Sequence, residues 1–357
     1  MKKPVLLFLA VIAAGSARAE PVTIKLGTLA PTGSPWHEAL KELAERWAEA
    51  SGGQVRLRVY PGGAQGSEGD TVRKLGVGQL QAVAVTNIGL HDVVPEAEAL
   101  TAPLLFHDEA ELQCAFDRVK GRVEAALAQR NLVALQWTRV GTASFFCRQP
   151  YRTPAEMSKA KVFAWEGDPA TVKAWRSAGL EPVVLSSTDL LPALSTGMVD
   201  CVSNVPLYML TTRAFERARY LIDLSLGFLT GATVVRKDAW DRIAPDLQRR
   251  LLAIAREVSG RIDGDAHRLE GEAVSAMKAQ GLQVVEVDPA AWRPALERSW
   301  AALRGGSASA DFFDAVEAAR DACTPGGAPA ARARRGAPGA PRPATPSAPS
   351  PRPSPGG

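Results

Sequence analysis

The residues that could take part in catalysis are few and widely separated. Ser186, Ser187 and Asp189 offer hydroxyl and carboxylate groups close together, but a serine nucleophile also needs a histidine base, and the spacing assigns none. The four histidines stand singly, at His37, His91, His107 and His267. No HExxH, GxSxG, Walker or GxGxxG motif and no Cys/His cluster is present. The pattern favours a binding protein that holds no metal or cofactor, with a secreted enzyme as the weaker alternative.

Residues 161–206 carry the most regular pattern in the chain, three short apolar strands separated by two helices. The run Ser186–Asp189 begins the second helix, because Ser, Thr and Asp side chains accept hydrogen bonds from free backbone N–H groups. Alternation of this kind predicts a parallel sheet, in which ligands bind beyond the carboxyl ends of the strands. We therefore expect a site where these strands and the earlier strand at 82–85 end. The residues there are Asn87, Phe163, Trp165, Glu166, Ser186, Ser203 and Asn204.

The rest of the chain has the same mixed character, which predicts an α/β fold. Alternating or continuous apolar runs predict strands at 22–29, 55–59, 82–85, 132–138, 141–147 and 229–235. From Pro245 onward, apolar residues recur every three or four positions for about 35 residues, as on one face of a long helix that ends at Gly281.

Both ends of the chain are expected to lie outside the folded part. Residues 1–19 read as a secretory signal with Lys2 and Lys3, an apolar core and cleavage after Ala19. Residues 324–357 consist almost wholly of Pro, Ala, Gly, Ser and Arg, which predicts a disordered tail. We therefore expect an exported, periplasmic protein.

Charge and cysteine content narrow the class of partner. The net charge is +4, but the signal and the tail together carry eight basic residues and no acidic ones, so the folded part is mildly acidic. This balance argues against nucleic-acid binding. In an oxidising compartment Cys114, Cys147, Cys201 and Cys323 could form disulfides in three pairings or remain buried thiols.

Several motifs resemble one family over most of the chain, from about Val22 to about Trp300. They are Ser51-Gly52-Gly53-Gln54, Tyr60-Pro61-Gly62-Gly63, Gly78–Gln81, Ala102–Phe106, Lys161-Val162-Phe163, Ala178-Gly179, Pro182, Gly197–Cys201 and Asn204-Val205-Pro206. The chain resembles the solute-binding proteins of TRAP (tripartite ATP-independent periplasmic) transporters, of the dicarboxylate-binding type.

The resemblance implies a type II-like two-lobed periplasmic binding protein with hinge strands and a long helix shared by both lobes. Lobe I would comprise residues 20–142 and 229–262, and lobe II residues 143–228 and 263–323. The implied function is a solute receptor that closes on its ligand and delivers it to small and large TRAP membrane subunits, driven by an ion gradient. Delivery to a different transporter, to a signalling partner or to another periplasmic protein remains open.

The ligand-clamping arginines of that family are missing here, because Phe163 and Ala143 occupy their two expected positions. Burying an unpaired carboxylate costs several kcal/mol, so we expect an apolar or aromatic ligand instead of a simple dicarboxylate. Phe163 and Trp165 would form aromatic walls, with Trp36 and Trp137 either joining them or belonging to the core. Glu166 would select an amine or lie at the rim in water.

Overall fold

The computed structural model describes residues 20–91, 93–166, 168–304 and 308–324. No helix in these ranges is long and apolar enough to cross a lipid bilayer. The predicted signal at 1–19 lies outside the described residues, as does the tail from 325 onward. Thr324, the first residue of the expected tail, belongs to the described part, where its hydroxyl donates to the buried carboxylate of Glu111 at 2.6 Å.

Lobe I is built on a five-stranded section of sheet in the order β2-β1-β3-β9-β4. The strands β1, β2 and β3 are parallel, and β9 runs antiparallel to β3 and to β4. Its strands are β1 (Val22–Thr28), β2 (Val55–Tyr60), β3 (Ala82–Thr86), β4 (Leu132–Cys147) and β9 (Gly227–Arg236). Its helices are α1 (Pro35–Ala50), α2 (Glu68–Gly76), α3 (Asn87–His91), α4 (Glu109–Gln129) and α9 (Lys237–Trp240).

Lobe II continues from the far end of β4 in the order β4-β7-β5-β6, with β8 also pairing β4 and β10 pairing β8. Its strands are β5 (Lys161–Trp165), β6 (Glu181–Leu185), β7 (Cys201–Asn204), β8 (Tyr220–Asp223) and β10 (Gln283–Glu286). Its helices are α5 (Pro154–Met157), α6 (Pro169–Ala178), α7 (Leu190–Thr196), α8 (Pro206–Thr211) and α11 (Pro289–Leu303). The parallel pairing of β5 with β6 and β7 matches the expectation for 161–206.

The two lobes are joined by the continuous strand β4. The segments 132–138 and 141–147, expected as two strands, form the single 16-residue strand β4, which pairs β9 through Ala143 and β7 from Ser144 onward. The register of β4 against β9 shifts between Ala134 and Gln136 and again between Arg139 and Gly141. Such bulges bend a strand and re-aim its side chains.

The long helix α10 (Pro245–Ala279) contacts α1 of lobe I, the linking strand β4 and α8 of lobe II. Its buried residues follow the predicted apolar face, with Leu251, Ala255, Val258 and Ala273 among them. Gly281 follows with φ of 97°, a left-handed conformation that glycine adopts without strain and that ends helices. The helix therefore spans both lobes, as expected.

The last helix, α12 (Ala310–Asp321), packs on α4 of lobe I. Phe312, Phe313 and Val316 join the same buried cluster as Val119 and Val123. The expected division gave this segment to lobe II, while the apolar face of α12 covers α4. The other lobe boundaries remain predictions.

All four cysteines are paired. Cys114 of α4 bonds Cys323, 209 residues later, and Cys147 at the end of β4 bonds Cys201 at the start of β7. The first bond fixes the end of the described chain to lobe I, and the second cross-links two neighbouring strands of lobe II.

Candidate functional site

A cavity of about 150 Å³ opens between the lobes at the carboxyl ends of β1, β3, β5 and β7. Lobe I, with its strand β9, lobe II and the linking strand β4 all contribute to its wall. The lining includes Leu29, Pro31, Trp36, Glu68, Val85, Ile88, Gln136, Val140, Trp165, Glu166, Ser187, Asn204, Val205, Tyr208, Leu229, Ala232 and Ile262. Most of these side chains are apolar.

Aromatic rings face the cavity from both lobes. Trp36 lies at the start of α1, directly after the Ser34 N-cap and Pro35. Trp165 ends β5, and its ring meets the Phe163 ring edge-on, with centroids 4.9 Å apart. Phe163 itself is only 2% exposed, packs in the core of lobe II and is not a lining residue. Phe163 thus packs against the Trp165 ring from the core of lobe II.

Glu68 is a buried carboxylate in the wall of lobe I. Its oxygens accept hydrogen bonds from the Thr86 N–H and the Thr86 hydroxyl, both at 2.7 Å, and from the Gly89 N–H at 2.9 Å. A Cβ at position 89 would lie 2.9 Å from the Cβ atoms of Glu68 and Val85, so the close approach requires glycine. Glu68 therefore fixes the end of β3 against α2.

Tyr208 of α8 faces the cavity from lobe II. Burial raises the pKa of the Tyr208 phenol, and the negative charge of Glu68 adds to the rise. The phenol is therefore neutral at physiological pH and presents a hydroxyl that can donate or accept a hydrogen bond.

Two lining side chains carry polar atoms without a partner. The Oε1 atom of Gln136 and the Oγ atom of Ser187 are buried, and neither has a hydrogen-bond partner among the described residues. Gln136 comes from the linking strand β4 and Ser187 from the turn before α7. Buried polar groups are normally paired, so these two atoms mark places where a bound molecule can supply a partner.

The charged groups of the cavity are all acidic. Of its described lining residues, Glu68 and Glu166 carry carboxylates, and none is Lys, Arg or His. Glu166 is exposed at the rim. An anionic ligand would thus meet no positive side chain in the wall.

A second cavity of about 250 Å³ lies between α4, β4, β9 and α10, and it shares Gln136, Thr138, Gly231 and Ser259 with the interlobe cavity. Lys120, Arg139 and Arg256 lie there. Arg139 is held away from the interlobe cavity, because its guanidinium donates to the backbone oxygen of Asp263 at 2.6 Å and to Glu109 at 3.3 Å.

Two acidic residues of α10 bind backbone N–H groups of β4. Asp263 accepts from Arg139 at 2.8 Å, and Glu270 accepts from Thr142. Burial raises the pKa of Asp263 to about 6, against the lowering effects of the Arg139 N–H group and charge. Burial likewise raises the pKa of Glu270. The helix is therefore attached to the linking strand where the strand passes between the lobes.

The chain matches the bacterial extracellular solute-binding protein family 7 over residues 26–304. It belongs to this family. One relative is the C4-dicarboxylate-binding periplasmic protein DctP of Rhodobacter capsulatus, 23% identical over 78% of this chain and 86% of DctP. Another is the sialic acid-binding periplasmic protein SiaP of Vibrio cholerae, 24% identical over 83% of this chain and 92% of SiaP.

The fold of this family 7 protein is shared with solved TRAP receptors. A TRAP periplasmic solute-binding protein from a Sulfitobacter species, with bound β-D-galacturonate, superposes with a TM-score of 0.78 at 20% identity, over 84% of this chain and 99% of that one. The chain is thus a periplasmic solute-binding receptor of the TRAP type and not an enzyme. Receptors of this type bind small molecules and work with TRAP permease subunits.

The structure brings together only part of the expected site of this family 7 receptor. Trp36, Trp165, Glu166 and Asn204 line the interlobe cavity. Trp137 lines the second cavity, where its Nε1 donates to Glu124. The remaining candidates do not line the interlobe cavity and are Asn87, Ala143, Phe163, Ser186 and Ser203.

The reasons for these positions are local. Phe163 precedes the strand end and so points into the core, and Ala143 packs against the core of lobe II. Ser203 lies inside the ladder opposite Phe145. The Ser186 hydroxyl meets that of Thr188 at 3.1 Å, which leaves Ser187 to face the cavity. Asn87 is buried at the start of α3.

Glu68, Gln136, Ser187 and Tyr208 were not expected in the site. Ser187 could have been found, because it stands next to Ser186 at the end of a predicted strand. Glu68 had a weaker signal, as an acidic residue at the start of a helix that follows the Tyr60–Gly66 loop.

Proposed function

We propose that this receptor captures a neutral, predominantly apolar or aromatic small molecule and delivers it to TRAP membrane subunits. The observation that supports this ligand class is the charge of the wall: two carboxylates and, among the described lining residues, no cation. The ligands in the relatives' names, C4-dicarboxylate and sialic acid, and the galacturonate of the Sulfitobacter protein are all carboxylic acids.

An acid of that kind would be poorly stabilised here. Enclosing a carboxylate removes it from water, and the cost of several kcal/mol is offset only by a cation or several donors. The Glu68 carboxylate inside the wall and Glu166 at the rim would add repulsion. Burying a neutral apolar ring carries no such desolvation cost, and its contacts with Trp36 and Trp165 stabilise the complex.

Closure of the lobes would complete the site. Trp36 stands on lobe I and Trp165 on lobe II, so a ring held between them contacts both lobes and stabilises the closed arrangement. The strand β4 would absorb the rotation, since among the described strands it pairs both with β9 of lobe I and with β7 and β8 of lobe II.

The ligand class is tested with three probes that share one ring system. Naphthalene, 2-naphthol and 2-naphthoate are titrated by fluorescence into protein stripped of bound ligand by unfolding and refolding, with D-galacturonate as a sugar acid. We expect the neutral probes to bind at least tenfold more tightly than 2-naphthoate and no binding of D-galacturonate. Tighter binding of either acid would overturn the proposed class, as would failure of both neutral probes.

A pair of tryptophan variants locates the probe. Trp165→Ala removes a wall of the interlobe cavity and should weaken naphthalene binding roughly tenfold, because a large apolar contact is lost. Trp137→Ala is the matched control, since Trp137 lines only the second cavity, and it should leave the affinity unchanged. Equal effects of the two changes would place the ring elsewhere.

A further inference from the structure

Gln136 is the most enclosed unpartnered polar side chain in the interlobe cavity. Its residue is 8% exposed, and its Oε1 atom accepts no hydrogen bond from any described residue. Ser187 also has an unpartnered hydroxyl, but its residue is only half-buried. Gln136 is therefore the stronger candidate for a side chain that pairs with the ligand.

Gln136 lies directly after a bulge in β4. Ala134 pairs with Val234 of β9 and Gln136 pairs with Thr233, so Leu135 is an extra residue in the ladder. Leu135 is buried in the core of lobe I, while Gln136 lies in the wall that the interlobe cavity shares with the second cavity. A bulge interrupts the regular alternation of side chains along a strand, and Gln136 is the first residue of β4 to pair with β9 after it.

An unpartnered acceptor at this depth costs stability, because a carbonyl oxygen removed from water loses its hydrogen bonds. A leucine or methionine would fill the same space without that cost. Gln136 nevertheless places in the cavity wall an acceptor that no described residue pairs, on the strand β4 that joins the lobes.

We propose that Gln136 is a specificity-determining residue, whose Oε1 atom accepts a hydrogen bond from a donor group of the ligand. The ligand class is thereby narrowed to an apolar or aromatic body that carries one neutral donor, such as a hydroxyl, an amide or a ring N–H. The inference rests on the proposed function, since it takes the neutral apolar body as given. Because Gln136 belongs to β4, the bond also ties ligand binding to the strand that joins the lobes.

The test compares 2-naphthol with naphthalene, which differ by one hydroxyl donor. We expect the wild-type protein to bind 2-naphthol about fivefold more tightly than naphthalene, as one net hydrogen bond allows. In Gln136→Met, which conserves the length of the side chain, the preference, measured as the ratio of the two affinities in the same variant, should fall to about one. A wild-type protein without preference, or a variant that keeps it, would overturn the assignment.

Stability supplies a readout that separates this role from a structural one. Gln136→Met removes an unpartnered acceptor and should leave the thermal midpoint unchanged or raised. Gln81→Met is the matched control, because the Gln81 amide donates to the Gly78 oxygen and accepts from the Lys25 N–H. That change should lower the midpoint and leave the preference for 2-naphthol intact. A lowered midpoint in Gln136→Met with the preference intact would show a purely structural residue.

The two proposals fail in different ways. If an acid binds more tightly than the neutral probes, the proposed ligand class fails and this inference fails with it. If naphthalene binds and 2-naphthol has no advantage, the apolar class stands and only the role of Gln136 is overturned.

Discussion

The carboxylate of Asp263 accepts a hydrogen bond from the backbone N–H of Arg139 at 2.8 Å. This contact joins the long helix α10 to β4 beside the bulge between Arg139 and Gly141. About two turns further along the helix, the carboxylate of Glu270 accepts a hydrogen bond from the backbone N–H of Thr142. Bulges leave backbone groups outside the ladder, and here two carboxylates satisfy them.

The first prediction concerns pH. Burial raises the pKa of Asp263 from 3.8 to about 6, so between these values the folded protein binds more protons than the unfolded chain. The free energy of unfolding attributable to this group therefore falls as the pH rises through that window. The fall is at most about 3 kcal/mol, since one pKa unit corresponds to about 1.4 kcal/mol.

Urea titrations from pH 4 to pH 7 measure this effect as the difference between wild type and Asp263→Asn, which keeps an acceptor for the Arg139 N–H. The variant should lose stability less steeply with rising pH, because it cannot ionise. Glu270, Glu109 and Arg139 face the same region and remain in both proteins, so their contributions largely cancel. Parallel pH profiles would contradict the assignment.

The second prediction concerns the passage between the lobes. Gly141 has φ of 141°, and a Cβ there would collide with the Glu270 carboxylate and contact Val205. Gly141→Ala should lower the free energy of unfolding by about 1–3 kcal/mol, through strain and displacement of Glu270.

Gly271→Ala is its control on the adjacent helix, where nothing lies within 4 Å of the added Cβ. It should stabilise the protein by up to about 1 kcal/mol, because alanine favours helix interiors. Denaturant unfolding measures both changes, and a neutral Gly141→Ala would show that Glu270 can move without cost.

The third prediction separates the disulfides. Changing both Cys114 and Cys323 to Ser releases the end of the chain from α4 and should cost roughly 2–5 kcal/mol. Neither residue lines the interlobe cavity, so naphthalene affinity should persist under conditions where the variant is folded. Thermal unfolding and titration of the same sample provide the two values. Unchanged stability would mean that the contacts of α12 with α4 already fix this end.

The fourth prediction concerns the end of the folded part. Removal of residues 325–357 should leave the thermal midpoint unchanged, because that composition offers little to bury. Removal of Thr324 as well should lower the midpoint measurably, since Glu111 is buried and its Oε1 atom accepts from the Thr324 hydroxyl. Although burial raises the pKa of Glu111, hydrogen bonds from Thr324 and His107 lower it below the ordinary value. Equal midpoints for the two truncations would show that this bond contributes nothing.

The order of helices and strands could be predicted because it depends on local periodicity. The apolar repeat from Pro245 predicted α10 to within a few residues, and the alternation over 161–206 predicted β5, β6 and β7. The long-range pairings could not be predicted. Four cysteines allow three disulfide connectivities, and the bond from Cys114 to Cys323 depends on α12 folding back onto α4.

The site was harder to predict because it depends on side-chain direction at strand ends. Trp165 and Phe163 are two residues apart on β5, yet one lines the cavity and the other lies in the core, because Trp165 ends the strand at the cavity and Phe163 lies within it. Gln136 follows directly after a bulge in β4, and the residue pattern of the sequence did not predict that bulge. The sequence nevertheless showed Phe163 and Ala143 at the two positions where arginines were expected. The described wall of the interlobe cavity likewise contains no arginine, lysine or histidine.

The central claim, that the bound molecule is neutral and mostly apolar, is tested most directly by what the receptor retains from its own periplasm. Protein purified without unfolding is measured by native mass spectrometry, and the bound molecule is then released with solvent and identified. We predict a neutral aromatic or aliphatic compound with a hydrogen-bond donor and no carboxylate. Release of a sugar acid, a dicarboxylate or another carboxylic acid at one molecule per chain would contradict the account.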